Sequence, residues 1–261
     1  MGGVTRSTLL GRLYLDWRSP MFRSIVRFSV VSSLLVGSFL ASSSLAQEKP
    51  DIRHQIADAY GLASWPQVEQ IRYTFNFEAG PKKAARTWTW ETKTDKVTFE
   101  GTDAAGKPVK VSYARASMPP DVVKDVDPNF INDQYWALFP FHLVWDKDVT
   151  VEDKGMAVDP TGKTKGKVRK VTVTYPKTGG YTPGDMYDLF VGTDNRVVAW
   201  NFHRSGVEKP TLTATWADYK MAGPILVYTD HRGTYTGNPI HIFLTGVAVK
   251  LVGASDFVAA K

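Results

Sequence analysis

The sequence predicts a mainly β (α+β) domain: about ten antiparallel strands in one sandwich- or barrel-like sheet, curled around one or two short helices. Three observations carry this expectation. Short segments alternate apolar and polar residues, the period of a strand with one buried face. Turns rich in Gly, Pro, Asp and Asn separate those segments at close spacing. One ring-rich stretch, Asp127 to Asp146, has helical spacing instead and must bury its apolar face against a sheet.

Residues 1–46 read as a targeting segment. Arg23 and Arg27 precede an apolar run from Phe28 to Leu40, and Ser44 and Ala46 put small residues at −3 and −1 before Gln47. A charged start, a short apolar centre and small residues at the cut make a secretory signal peptide. The run is short and interrupted by serines, which favours cleavage over a membrane span. Met21 stands just ahead of this signal, so translation is expected to begin there, with residues 1–20 a gene-call artefact or an unusually long leader. Residues 47–261 are expected to form a single domain in the periplasm or outside the cell. The leader holds five Arg and one Asp of the chain's 32 basic and 26 acidic residues, leaving 27 against 25. A net charge of +2 leaves no footprint for nucleic acid, and none is expected as a partner. The chain has no cysteine, which excludes disulfides, a thiol nucleophile, zinc–thiolate sites and an acylated N-terminal lipoprotein.

In chain order, Ile52, Ile56, Ala59 and Tyr60 recur at helical spacing and stop at Gly61 or at Ser64-Trp65-Pro66. The period then changes to two: Ile71, Tyr73, Phe75 and Phe77 alternate with Arg72, Thr74, Asn76 and Glu78. Gly80-Pro81 turns the chain into Arg86 to Glu91, and Lys96 to Glu100 and Val109 to Tyr113 continue an antiparallel meander. Within the ring-rich stretch Phe130, Ile131, Tyr135, Trp136 and Leu138 define a helix. Asp127 is its expected N-cap, Pro128 its first residue, and Pro140 its limit. After a short strand over Val149 to Val151, Lys154 to Lys170 reads as a polar loop. Strands follow over Arg169 to Tyr175, Asp185 to Val191, Arg196 to His203, Thr211 to Trp216, Ile225 to Thr229 and Ile240 to Leu251.

This order of elements resembles the LolA/LolB lipoprotein-carrier superfamily. The strings Arg86-Thr-Trp-Thr-Trp90, Phe130-Ile-Asn-Asp-Gln-Tyr-Trp136, Phe139-Pro-Phe141 and Gly179-Gly-Tyr-Thr-Pro-Gly-Asp185 are similar, more narrowly, to a group of exported bacterial LolA-like proteins. The resemblance spans about Asp51 to the C-terminus. It implies an unclosed β-barrel holding helices against its concave side, with a hydrophobic cavity for acyl chains. The carriers' lid-locking arginine matches no motif here and is not carried over.

Read from the residues alone, Tyr73, Phe75, Trp88, Trp90, Tyr135, Trp136, Phe139, Phe141 and Trp145 supply the wall of an apolar cavity. The same rings serve as plain core, each burying about 150–250 Å² whatever the ligand. Lys163, Lys165, Lys167, Arg169 and Lys170 put five cations in eight residues. They make either a solvated loop or a contact with anionic headgroups of about 1 kcal/mol per cation. Gly179, Gly180 and Tyr181 open a shaped loop, a hairpin connection or a flap at a cavity mouth.

No catalytic residue, metal ligand or cofactor is expected. Gly162-Lys163-Thr164 lacks the first glycine of a phosphate loop, Ala157 standing there, and lacks its strand–helix setting. His54, His142, His203, His231 and His241 contain no pair at the helical spacing of a metal site, and His142 stands out only by lying among rings. Asp230 and His231 point to opposite faces of a strand. There is no Gly-x-Ser-x-Gly elbow. The leading expectation is an exported, non-enzymatic protein that binds a lipid or acyl chain in the concave face and touches a membrane surface. Two alternatives stay open: a carboxylate-based hydrolase in the same cleft, using pairs such as Asp185 and Asp188, and an envelope interaction protein with a packed core. Oligomeric state is left open.

Overall fold

Alternating residues pair into one antiparallel sheet in the computed structural model, which describes residues 51–102 and 106–261. The expected leader, its cleavage site and the Met21 start lie outside the described residues. The strands are β1 (Val68–Ala79), β2 (Lys82–Glu91), β3 (Lys96–Thr102), β4 (Pro108–Ala114), β5 (Thr150–Val158), β6 (Lys167–Thr174), β7 (Met186–Val191), β8 (Val197–His203), β9 (Leu212–Thr215), β10 (Ala217–Ala222), β11 (Ile225–Tyr235), β12 (Asn238–Leu251) and β13 (Phe257–Ala259). In space they run β4-β3-β2-β1-β12-β11-β9-β8-β7-β6-β5, with β10 on β11 and β13 on β12. The end strands β4 and β5 do not pair with each other, so the sheet is an unclosed half-barrel.

Register puts the large residues on one face. Phe99, Trp88 and Tyr73 lie abreast across β3, β2 and β1. Val171, Leu189, Trp200, Ala214, Gly233 and Ile240 lie abreast from β6 to β12. Val173, Tyr187, Phe202 and Leu212 form the next row. Apart from Gly233, these residues share one buried cluster with the helices, which fill the concave side. Gly233 permits the close crossing of β9 and β11, because a Cβ there would lie 1.9 Å from the Thr213 carbonyl oxygen.

Helix α1 (Ile52–Ala59) starts at Asp51, whose carboxylate accepts from the backbone N–H of Arg53 at 2.7 Å and of His54 at 3.1 Å. It ends before Gly61, at φ +91°, where a Cβ would stand 2.6 Å from the Pro224 carbonyl oxygen. Helix α2 (Pro120–Asp125) leads almost directly into α3 (Asp127–Trp145), and α1 packs against both α3 and β5.

Four expectations need correction. Among the described residues the sheet has thirteen strands, not about ten. β10 was hidden because Asp218, at φ +56°, interrupts its alternation, and β13 has only three residues. The supposed polar loop contains the outer half of β5, an edge strand exposed along most of its length and so without a buried period to read. Asp127 does not cap α3. It lies inside the first turn, buried, and accepts from the Tyr113 hydroxyl at 2.9 Å and from Arg115 Nε at 3.1 Å. Pro140 does not end the helix either. It lacks the N–H that would bond the Trp136 carbonyl, so the helix breaks at Leu138 (φ −127°, ψ 20°) and resumes to Trp145.

Candidate functional site

Helix α3 is fastened into the concave face through one buried carboxylate. Arg86 and Trp88 alternate inward on β2, which aims both at Asp133, itself without solvent exposure. Arg86 donates from Nε and Nη2 to the two carboxylate oxygens at 2.6 Å each, and Trp88 Nε1 donates at 2.8 Å. Burial pushes the Asp133 carboxyl up, while Arg86, Trp88 and Asn132 pull against it. Burial opposes the charge on Arg86 too, but the hydrogen bonds and charge of Asp133 hold the guanidinium above its ordinary value.

The second turn of the broken helix is tied at Asp146. Its Oδ2 accepts from the hydroxyls of Tyr135 and Tyr175, each at 2.9 Å, and His142 Nδ1 lies 3.2 Å away. Burial raises this carboxyl, but His142 and the two tyrosines outweigh it and hold the group below the usual carboxylate range. His142 therefore has a structural partner and stacks on Tyr135 at 3.8 Å.

The nine rings named from the sequence fall into two groups around α3. At the rim, Trp90, Phe141 and Trp145 meet Trp65, with centroids 6.0, 5.1 and 4.8 Å from it. Trp65, Trp90 and Trp145 remain half-buried there. Deeper, Phe139 is fully buried against Tyr187 at 4.6 Å, while half-buried Trp136 stands edge-on to Trp200 at 4.6 Å. Tyr73, Phe75, Trp88 and Tyr135 are buried in the same core.

Sequence reasoning missed five members of these groups. Trp65 sits in the 3₁₀ segment Leu62–Gln67, which has no strand or helix period. Trp200, Trp216, Tyr228 and His231 come from three neighbouring parts of the sheet and meet only through its register.

The expected cation patch divides. Lys163, Lys165 and Lys167 are exposed. Arg169 turns toward Asp153 at 3.5 Å and Gln55 at 3.3 Å. Lys170, on the opposite face, pairs with buried Asp188 at 2.8 Å. Asp188 also accepts from Thr172 at 2.7 Å and faces His203 Nε2 at 3.2 Å, on the outer side of the sheet. Asp185 instead accepts from the Ser205 N–H at 2.7 Å. The two carboxylates do not converge in the concave face.

The Gly179–Gly184 loop spans the open side. Gly179 and Gly180, at φ +80° and +68°, carry Tyr181 outward, and Arg115 Nη2 donates to its hydroxyl. Arg115 follows edge strand β4 directly, whereas the loop joins β6 to β7 near the other edge. Arg115 is anchored by Asp127 and by Asp95, the latter at 3.3 Å. Two open grooves lie elsewhere, one of about 580 Å³ beside Glu69, Glu91, Lys93 and Lys250, the other of about 240 Å³ beside Asn76, Glu78 and Lys83. Their charged linings do not suit an acyl chain, so the rings under α3 are the better candidate despite being filled.

No protein-family model matches the chain, and no curated protein matches it in sequence. Among solved structures it is similar to a DUF1329 family protein from Desulfovibrio piger, at 11% identity and TM-score 0.40. It is also similar to a domain described as that of an outer membrane lipoprotein-sorting protein from Vibrio parahaemolyticus, at 11% identity and TM-score 0.43. Each comparison covers 77% of this chain and 95% of the other. At those values neither neighbour carries a ligand or a chemistry over to this chain. The half-barrel itself, with helices in its concave side, is read from the strand order above.

Proposed function

We propose that this chain is an exported, non-enzymatic protein that binds a lipid or acyl chain between helix α3 and the concave face of its sheet. The observation that supports this reading is Trp136. It lies on the broken turn before Pro140, half-buried, above a floor of rings formed by Phe139, Tyr187, Trp200 and Phe202. An outward swing of this turn exposes apolar floor to a chain that gains about 0.8 kcal/mol per buried CH₂. The rim tryptophans Trp65, Trp90 and Trp145 extend the apolar path toward solvent. The Arg115–Tyr181 contact acts as a clasp across the unpaired strand edges, and Lys163, Lys165 and Lys167 meet anionic headgroups. The test is to purify the full chain without detergent, denature it and analyse the organic extract by mass spectrometry. A stoichiometric acyl species supports the reading. An empty extract, together with failure to take up added lipid, favours an interaction module with a packed core.

A further inference from the structure

Four buried polar atoms in the floor have no hydrogen-bond partner: Trp200 Nε1, Trp216 Nε1, Tyr228 OH and His231 Nε2. Their side chains form one cluster. Trp216 lies 5.1 Å from Trp200 and 3.8 Å from Tyr228, and His231 lies 4.2 Å from Tyr228 and 5.5 Å from Trp200, centroid to centroid. Buried polar groups are nearly always paired, and an unpaired one destabilises the fold. Phenylalanine would fill most of these volumes without that cost. Four such atoms on rings in mutual contact therefore point to a partner outside the chain.

The atoms also define what that partner is. Indole N–H groups only donate. His231 Nδ1 lies 2.7 Å from the Thr215 carbonyl oxygen. The Trp136 carbonyl, whose helical donor Pro140 removes, also reaches this ring, so His231 lies between two backbone acceptors and its lone pair is not assigned to a ligand. Burial keeps this imidazole neutral, its pKa pushed down to about 4. The Tyr228 hydroxyl stays protonated for the same reason and serves either role. Beside His231 the cluster offers two indole donors and the Tyr228 hydroxyl, which also accepts, and no charged side chain belongs to it. A carboxylate would bring an uncompensated charge into the interior. A hydroxyl satisfies both sides, its oxygen accepting from the indoles and its proton going to the Tyr228 oxygen.

We propose that Trp200, Trp216 and Tyr228, beside His231, bind the neutral hydroxyl head of an amphiphile whose chain enters beneath Trp136. This rests on the apolar-ligand reading above and names the polar end of that ligand. Trp136 stands edge-on 4.6 Å from Trp200 and 6.4 Å from His231, between the cluster and solvent. A single buried water offers the same hydrogen bonds, and the experiment separates the two sources.

The full chain is loaded with the apolar fluorophore N-phenyl-1-naphthylamine, which is then displaced by dodecan-1-ol or by its methyl ether. The alcohol is expected to bind at least tenfold tighter than the ether. Tyr228→Phe, which keeps the ring but removes the acceptor, is expected to abolish most of that preference, whereas Trp200→Phe weakens alcohol and ether alike. In ¹⁵N-labelled protein the indole N–H resonances of Trp200 and Trp216 are expected to move downfield with the alcohol. Equal displacement by alcohol and ether overturns the hydroxyl site while leaving the apolar reading intact. Displacement by neither compound overturns both. A preference that survives Tyr228→Phe, or indole resonances already hydrogen-bonded and unmoved by the alcohol, overturns the proposal in favour of another head site or a resident water.

Discussion

Replacing Asp133 by asparagine asks how much of the fold depends on the tie between α3 and the sheet. The substitution preserves shape and one acceptor oxygen, so the Trp88 N–H can stay paired. It removes the negative charge that faces Arg86 through two hydrogen bonds of 2.6 Å, and turns an NH₂ group toward a donor. Breaking one side of a buried ion pair costs about 3–5 kcal/mol, because the other charge stays buried. The Arg86 side chain is 22% exposed, so water partly replaces the lost partner and the lower end applies. The expected loss is about 3 kcal/mol, a fall in Tm of roughly 6–12 °C for a domain of this size. Thermal and urea unfolding followed by circular dichroism measure it. The double variant Arg86→Met with Asp133→Leu is expected to be more stable than Asp133→Asn, since it leaves no orphaned charge. A loss below about 1 kcal/mol in the single variant, or no recovery in the double, would refute the reasoning.

Three further outcomes follow from the same geometry. His231 titrates near 4 in the folded chain and near 6.5 when unfolded, so between those values the unfolded state binds the extra proton and stability falls as pH falls. That contribution is about 3 kcal/mol by pH 4. In His231→Gln the slope over this window is expected to flatten, and an unchanged slope in urea titrations at stepped pH would contradict it. Gly233→Ala forces a Cβ against the Thr213 carbonyl at 1.9 Å, and a loss on the order of 3 kcal/mol is expected, read from the urea midpoint. A wild-type midpoint would mean that β9 and β11 separate freely. Tyr181→Phe removes the hydrogen bond from Arg115 at an exposed position, so stability should change by less than about 1 kcal/mol. Amide exchange across residues 177–184 should nevertheless accelerate, and unaltered exchange would argue against a clasp.

The sheet was legible because its inner strands are buried on one face: Ile71, Tyr73 and Phe75 in β1, or Tyr187 and Leu189 in β7, announce themselves by alternation. β5 is exposed on both faces at an edge and carries no such signal. Pro140 reads as a terminus of α3 in the sequence, but the Arg86–Asp133 tie before it and the Asp146 hydrogen bonds after it hold both halves in place. Asp127 resembled a cap by its neighbour Pro128, but Arg115 and Tyr113, distant in sequence terms from any helix signal, claim its carboxylate. The α3 rings of the candidate face were visible as a local cluster. The floor was not, since Trp200, Trp216, Tyr228 and His231 converge only through strand pairing and a bend.

The central claim is that an apolar chain lies between α3 and the concave face. Photolabelling of the full chain with a diazirine-bearing long-chain alcohol, followed by peptide mass mapping, tests it most directly. The account predicts labels on peptides carrying Trp136, Phe139, Tyr187 or Trp200, suppressed by excess unlabelled dodecan-1-ol. Labels confined to exposed positions such as Met156 and Val158 on β5, or labelling that excess alcohol does not suppress, would contradict it.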